Sequence, residues 1–517
     1  MGTPHFRLFD AWNMNMSIEN RRFALQQELD IKKTNKDRNH LGQFSTPFTL
    51  AMDIARYALS LCDINDIRFL EPAIGTGVFF SALRILSKPL LAVGYEIDPH
   101  YALPSIELWR DEALTVNNDD FLCQKPNRRF NLILANPPYS RHHHIDSAVK
   151  QRLQYLVESN YGLKISGLSG LYCYFLILST LWLQNDGISC WLIPSEFMDV
   201  KYGEAVKRFL TSNVDLISIH RFDSSDLQFS DALVSSSIVT FKNRQPSNQK
   251  VRFSHGGTLF NPHNITELDK TELNPSEKWS LKFDSSNEEL QGHSLGHYFK
   301  VSRGISTGNN SFFILSTTEV LEKGLPMEFL TPILPAPRHL SQSIIFEDFS
   351  NLDTDDKYFL LSCPLPIEDV QHLYPQLYKY IIEGESKGAN NSYNCQKRVP
   401  WYTTESRQAA PIYMTYMGRG ENASRMFRFI LNESESIVTN SYLMLYPREK
   451  YKHCISDKAT LIQVWKTLNS IPKDRLSKCG RSYGGGLFKI EPKELELLKI
   501  PELKDVLKPI QTSLFDV

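Results

Sequence analysis

The sequence predicts an α/β domain over residues 39–243, with a mostly parallel sheet and helices on both faces. Two observations carry this. Apolar runs of strand length recur as IRFLEPA, LLAVGYEID, FNLILANPP, ISCWLIPS, LISIHRF and SSSIVTFKN. Stretches with helical period alternate with them, at 47–61, 76–86, 146–157, 170–184 and 202–212. Strand, helix and strand in succession is the crossover unit of parallel sheets, and the helices then cover both faces.

The chain of 517 residues is too long for one hydrophobic core. Residues 1–38 are polar and read as an N-terminal helical extension, with ENRRFALQQELDIKK as its helix. After the polar break NRQPSNQK (243–250) the texture becomes short strand-like segments, loops and turns, so 244–517 is expected to form a separate α+β domain. The formal net charge is −1, which leaves room for a local basic surface that binds nucleic acid. Eight scattered cysteines form no C-x-x-C pair, as expected for reduced thiols in a cytoplasm. The N-terminus lacks a signal-peptide core. The most apolar run, GLYCYFLILSTLWL (170–183), is shorter than the ~20 residues a bilayer needs and fits a core helix, so no membrane partner is expected.

Taken in order, LGQFSTPFTLAMDIARYAL (41–59) reads as an amphipathic helix with Thr46 as N-cap and Pro47 at the first helical position. FLEPAIGTGVFFSAL (69–83) is a strand, a turn and a helix start, in which Gly75 and Gly77 leave room for a ligand against the backbone. Such turns occur in many α/β proteins. In VGYEIDPHY, Glu96 ends the next strand, where a carboxylate can accept from both hydroxyls of a ribose. In NNDDFL, Asp120 and Phe121 follow the next strand, an acid for an exocyclic amine and a ring to flank a purine. Neither G-x-x-x-x-G-K-[ST] nor a full G-x-G-x-x-G is present, which disfavours nucleoside triphosphates and dinucleotides. An adenosine with an uncharged or cationic extension remains, and S-adenosylmethionine fits that description.

The strand LILA ends at Asn136-Pro137-Pro138-Tyr139. Two successive prolines cannot donate ladder hydrogen bonds, so the strand stops there with an amide, a rigid carbonyl and an aromatic ring at its end. RHHHID (141–146) follows, a polar loop; adjacent histidines rarely converge on one ion, and no metal is expected.

The order Thr46-Pro47, EPAIGTG, GYEIDP, NDDF, ANPPY, then a large C-terminal region, resembles the TaqI-like family. These are gamma-class DNA adenine-N6 methyltransferases of restriction-modification systems. The resemblance covers roughly 40–243. It implies a class I S-adenosylmethionine-dependent methyltransferase fold with a seven-stranded sheet, followed by an α+β target-recognition domain. It also implies that Thr46, Glu71, Ala73, Gly75, Glu96, Asp120 and Phe121 line the S-adenosylmethionine site. Ile74 departs from the small residue or cysteine of many relatives, a change expected to alter packing. For catalysis, Asn136 and the Pro137 carbonyl would each accept a proton of the adenine N6 amine. Pro138 would keep the turn rigid, and Tyr139 would stack on the base. A base inside a duplex must be flipped out to reach such a turn. Phe229 in DLQFSDALVSSSIVTF is the expected second aromatic.

The C-terminal region supplies Arg303, Arg398, Arg419, Arg425, Arg428 and Arg481 as candidates for contacts to double-stranded DNA, of which two or three are expected to touch it. The resemblance implies a monomer in a prokaryotic cytoplasm, with any cognate restriction endonuclease acting independently. Two rivals stay open. NPPY also occurs in methyltransferases acting on RNA or on protein glutamine, which are usually compact. A non-catalytic DNA-binding subunit would carry the sheet domain as a relic. A fused nuclease has no credible segment in the sequence.

Overall fold

The computed structural model describes residues 4–34, 37–38, 42–62, 66–140, 142–223, 235–283, 291–348, 357–419, 426–483 and 487–508. The chain forms two compact units, residues 1–287 with 483–486 and residues 288–482 with 487–517.

In the first unit, α1 (Pro4–Ile31) and α2 (Phe48–Ser60) precede the strands. There follow β1 (Arg68–Glu71), α3 (Val78–Leu86), β2 (Leu91–Tyr95), α4 (Pro99–Leu108), β3 (Leu114–Asn117) and β4 (Phe130–Ala135). Next come α5 (Ser147–Tyr161), α6 (Leu171–Ser179), β5 (Leu183–Pro194), α7 (Glu204–Ser212), β6 (Asp215–Arg221) and β7 (Ser236–Lys242). Two further strands, β8 (Val251–Gly257) and β9 (Pro262–Leu268), complete one sheet of order β3-β2-β1-β4-β5-β7-β6-β8-β9. Strands β3, β2, β1, β4 and β5 are mutually parallel, and β7 is antiparallel to both its neighbours.

All six residues of β4 are buried, and from Leu132 onward they alternate between two cores. Phe69, Leu132, Leu134 and Leu192 point into one, and Leu70, Ile133, Ala135 and Trp191 into the other. A central strand with helices on both faces requires this near-continuous apolarity. Chain order runs from β1 outward to β3 and then returns to β4 on the other side of β1. Strand ends β1 and β4 therefore flank the crevice where such sheets bind ligands.

Three expectations change. Among the described residues the seven expected strands are extended by β8 and β9 to nine, and the unit continues past the break read at 243. Residues 243–250 are only a connection, because β8 pairs in parallel with β6 and buries Val251 and Phe253 completely. The polar, mostly exposed β9 is an edge strand, which hid it. The N-terminal extension is also part of this unit, since Glu19 and Arg22 of α1 are buried against it. The run 170–183 is a core helix and a short 3-10 turn, as expected. Among the described residues no helix is long and apolar enough to cross a membrane.

The second unit is α+β. A five-stranded sheet joins β10 (Phe299–Arg303), β13 (Ile344–Ile345), β15 (Ile412–Thr415), β17 (Phe429–Asn432) and β18 (Tyr442–Pro447). Two three-stranded sheets accompany it, one of β11 (Ile314–Ser316), β12 (Leu330–Ile333) and β14 (Tyr358–Leu361). The other joins β16 (Met417–Arg419), β19 (Arg481–Tyr483) and β20 (Leu487–Lys489). The longest helices described here are Pro375–Ser386 and Lys458–Asn469.

Candidate active site at the switch point

Strand β4 delivers Asn136 to the crevice, and the segment 42–46 holds the turn that follows. The Tyr139 amide donates to the Gly42 carbonyl at 3.0 Å. The Asn136 Nδ2 group donates to the Phe44 carbonyl at 2.9 Å and to Thr46 Oγ1 at 3.0 Å. Its Oδ1 is buried and has no hydrogen-bond partner. Pro137 is buried beside it. The Tyr139 hydroxyl donates to the Leu192 carbonyl at 3.0 Å, and burial holds its pKa far above the usual value. Its ring lies 5.7 Å from that of Phe44, tilted by 51°. Thr46 is not a helix cap. The cap position of α2 is Pro47, which has no side-chain hydrogen bond, and the Thr46 hydroxyl is turned to Asn136 instead.

Asn136 and Pro138 line a cavity of about 620 Å³ shared with Thr46, Glu71, Ala73, Gly75, Glu96, Asp120 and Phe121. Glu71 at the end of β1 is 1% exposed, and its Oε2 has no partner. Burial raises its pKa well above the carboxylate range, with the Arg22 charge opposing. Gly75 has φ +53°, and a Cβ there would meet nothing within 4 Å. Its amide donates to Glu96 Oε2 at 3.0 Å, and the Asp98 amide donates to Glu96 Oε1 at 3.0 Å. Burial raises the Glu96 pKa against these two bonds. Each carboxylate oxygen retains a lone pair for a further donor.

Asp120 caps the turn after β3, accepting from the Leu122 amide at 2.9 Å. Phe121 is stacked on Phe175 at 5.8 Å and is 3% exposed. Gly77 has a packing role. A Cβ there would fall 2.7 Å from Trp109 Nε1, which donates to the Thr76 carbonyl. Ile74 packs over Gly94, where a Cβ would lie 2.3 Å from Ile74 Cδ1, so a second glycine makes room for the departure.

The sequence reading missed the wall supplied by α1. Arg22 binds both carboxylate oxygens of Glu19 at 2.8 and 2.7 Å and donates to Thr76 Oγ1 at 2.9 Å. Ser81 donates to Glu19 at 2.6 Å, and Thr76 to Gln26 at 2.6 Å. Arg22 and Gln26 line the cavity, as does Lys33, which is paired with Asp98. Charged residues on the buried face of a polar helix leave no apolar stripe to read.

Phe229 and Arg425 lie outside the described residues, and of Arg419 only its place on β16 is described. The other four arginines hold the second unit's own fold. Arg303 pairs with Glu491, and Arg481 donates to Glu494 at 2.7 Å. Arg398 donates to the Thr307 and Ser306 carbonyls at 2.7 and 2.6 Å, and Arg428 to the Leu340 carbonyl at 2.5 Å. Of the histidine run, His144 lines the cavity, and among the described residues no group of side chains is arranged to hold a metal ion.

The family described as Eco57I restriction-modification methylase matches residues 85–229. The family described as type II methyltransferase M.Eco57I, C-terminal domain, matches 276–516. The type II methyltransferase M.AccI of Acinetobacter calcoaceticus is 28% identical over 91% of this chain and 87% of its own length. M.XamI of Xanthomonas campestris pv. amaranthicola is 28% identical over 85% and 81%. Among solved structures, the type IIL restriction-modification enzyme MmeI in complex with DNA shares the fold, with TM-score 0.55 and 11% identity over 93% of this chain. This chain spans 66% of the MmeI chain. Over most of its length the chain is thus similar to type II restriction-modification methyltransferases.

Proposed function

We propose that this chain is a site-specific DNA methyltransferase of the gamma class, transferring a methyl group from S-adenosylmethionine to N6 of an adenine flipped out of duplex DNA. Its role is to protect host DNA against a separately acting endonuclease. The observation that carries the reading is the stranded Asn136 Oδ1, a buried acceptor with no partner on a residue that lines the cavity together with Glu71, Glu96 and Asp120. A buried acceptor costs about 1–3 kcal/mol when left unpaired, so its retention points to a ligand N–H that completes it.

The residues present suit the cofactor. The unpartnered Glu71 oxygen suits an ammonium group, and the open face of Gly75 leaves space for a chain against the backbone. Glu71, Ala73, Gly75 and Glu96 would hold the amino-acid and ribose parts, with Asp120 and Phe121 at the adenine. When bound, S-adenosylmethionine supplies a methyl group already activated by its sulfonium.

The chain's own contribution is positioning. The N6 lone pair is delocalised into the ring, which makes it a poor nucleophile. Asn136 Oδ1 accepts a hydrogen bond from one N6 N–H and the Pro137 carbonyl accepts from the other, which favours a pyramidal amine with a free lone pair without a strong base. As the N–CH3 bond forms and the sulfonium S–CH3 bond breaks, one N6 proton leaves to solvent. The prolines fix the carbonyl direction before substrate arrives, which lowers reorganisation during reaction. Tyr139 supplies an aromatic face for the extruded base. Flipping costs roughly a few kcal/mol, offset by contacts to the base and by the second unit on the duplex.

The test is sequencing of genomic DNA from a host expressing the wild type or Asn136→Ala. N6-methyladenine at one recurrent sequence, absent with the variant, is the expected result. Methylation only at cytosine, or only of RNA or protein, would overturn the reading.

A further inference from the structure

We infer that Thr46 is a positioning residue for Asn136, and that together with the Phe44 carbonyl it makes the Asn136 side chain an acceptor-only group toward the target base. The inference rests on the reading above and assigns Thr46 a task other than capping a helix or binding the cofactor.

A primary amide carries two N–H donors and one carbonyl oxygen. The two ends of an asparagine side chain are nearly isosteric, so neighbours decide which way it faces. Here the choice is forced. The Phe44 carbonyl has no proton to give, so the atom 2.9 Å from it must be the NH2 nitrogen. The second N–H goes to Thr46 Oγ1 at 3.0 Å. Both donors are then spent, and the Oδ1 of this cavity-lining residue is left buried and unpartnered. A rotation by 180° would set two acceptors face to face and strand both N–H groups.

The arrangement is fixed by the chain itself. Thr46 is 8% exposed and precedes Pro47, which holds a preceding residue in extended backbone. Gly42, four residues earlier, accepts from the Tyr139 amide at 3.0 Å. One short segment thus grips the catalytic turn at both ends. With the amide locked, a base presenting an amine N–H is matched, and a base presenting a carbonyl at that place meets acceptor against acceptor.

The test compares wild type, Thr46→Val and Thr46→Ser in methyl transfer to DNA at saturating cofactor and DNA. Binding of sinefungin and thermal stability are measured in parallel. Valine keeps the shape and removes the hydroxyl. The expected result is a kcat about 10- to 100-fold lower for Thr46→Val, the equivalent of one lost buried hydrogen bond, with the sinefungin Kd within about threefold of wild type. Thr46→Ser is expected to recover kcat to within about threefold. A wild-type kcat in Thr46→Val overturns the inference, and so does a change confined to cofactor affinity. Should Thr46→Val fail to fold, Thr46→Ala against Thr46→Ser gives the same comparison, and equal kcat in that pair overturns it. A wild type that methylates no DNA defeats the proposed function itself and takes this inference with it.

Discussion

Gly42 and Tyr139 meet backbone to backbone. The Tyr139 amide donates to the Gly42 carbonyl at 3.0 Å, and a Cβ on Gly42 would lie 2.4 Å from that same nitrogen. Gly42 also has φ +69°, a conformation other residues adopt only with strain. Contact and conformation both demand glycine, at a position far in sequence from the turn it supports.

Gly42→Ala should therefore act on the reaction through the turn. The overlap is with backbone, so the segment 42–46 must shift and carry the partners of Asn136 with it. A loss of stability of roughly 1–3 kcal/mol is expected, with a fall in kcat of more than about tenfold. Urea melts alongside single-turnover rates check this. A variant that is destabilised yet keeps the wild-type rate would show that the turn does not need this segment.

Glu71 should give the fold a pH dependence that its substitution removes. Burial holds its folded-state pKa well above the unfolded value of ~4.3. Between those two values the folded protein binds more protons than the unfolded chain, so stability falls as pH rises. The contribution is fully present below the unfolded pKa and is lost as pH climbs through the folded one. Glu71→Gln should flatten the decline of Tm with pH, measured without cofactor. A cofactor ammonium favours the carboxylate, so sinefungin should bind wild type more tightly as pH rises and bind Glu71→Gln with little pH dependence. Equal slopes for the two proteins would remove Glu71 from the cofactor site.

Arg22 should matter to stability more than its place in a polar helix suggests. Glu19 and Arg22 are 3% and 2% exposed and bonded to each other at two points. Removing one partner of such a pair leaves an uncompensated buried charge, at a cost of roughly 3–5 kcal/mol. Arg22→Met should lower Tm strongly, and adding Glu19→Gln should recover part of the loss. If single and double variants melt together, α1 is not stapled to α3 in the way described.

What the sequence disclosed follows from which physical signals are local. Apolar runs ending in Glu71, Glu96 and Asn136 announced buried strands, and their strand ends do converge on one cavity. The Pro-Pro pair announced where β4 stops. The edge strand β9 is polar and mostly exposed, so no apolar signal distinguished it from a loop. Thr46 before a proline has the local appearance of a helix cap, and only the fold reveals that its hydroxyl serves Asn136 across 90 residues of chain. Charge is legible but its partner is not. Arg398 and Arg428 are readable as charges, whereas the backbone carbonyls of their own unit to which they donate are not.

Substitutions at Asn136 separate the acceptor from the shape of the side chain. Asn136→Ala removes the oxygen that meets the base, and the loss of one preorganised group of this kind lowers kcat about 100- to 1,000-fold. Asn136→Asp keeps an acceptor on that side but faces a second oxygen toward the Phe44 carbonyl, where the amide had donated at 2.9 Å. Thr46 can rotate its hydroxyl to donate to the new carboxylate, whereas the Phe44 carbonyl has nothing to offer. The aspartate variant should thus be less stable than wild type and fall between alanine and wild type in kcat, with sinefungin affinity little changed in both. Stopped-time methylation of a single-site duplex, read beside thermal melts, ranks the three proteins. If alanine equals or exceeds aspartate in rate, the oxygen at this position does not act on the amine, and the chemistry must be sought elsewhere along the crevice.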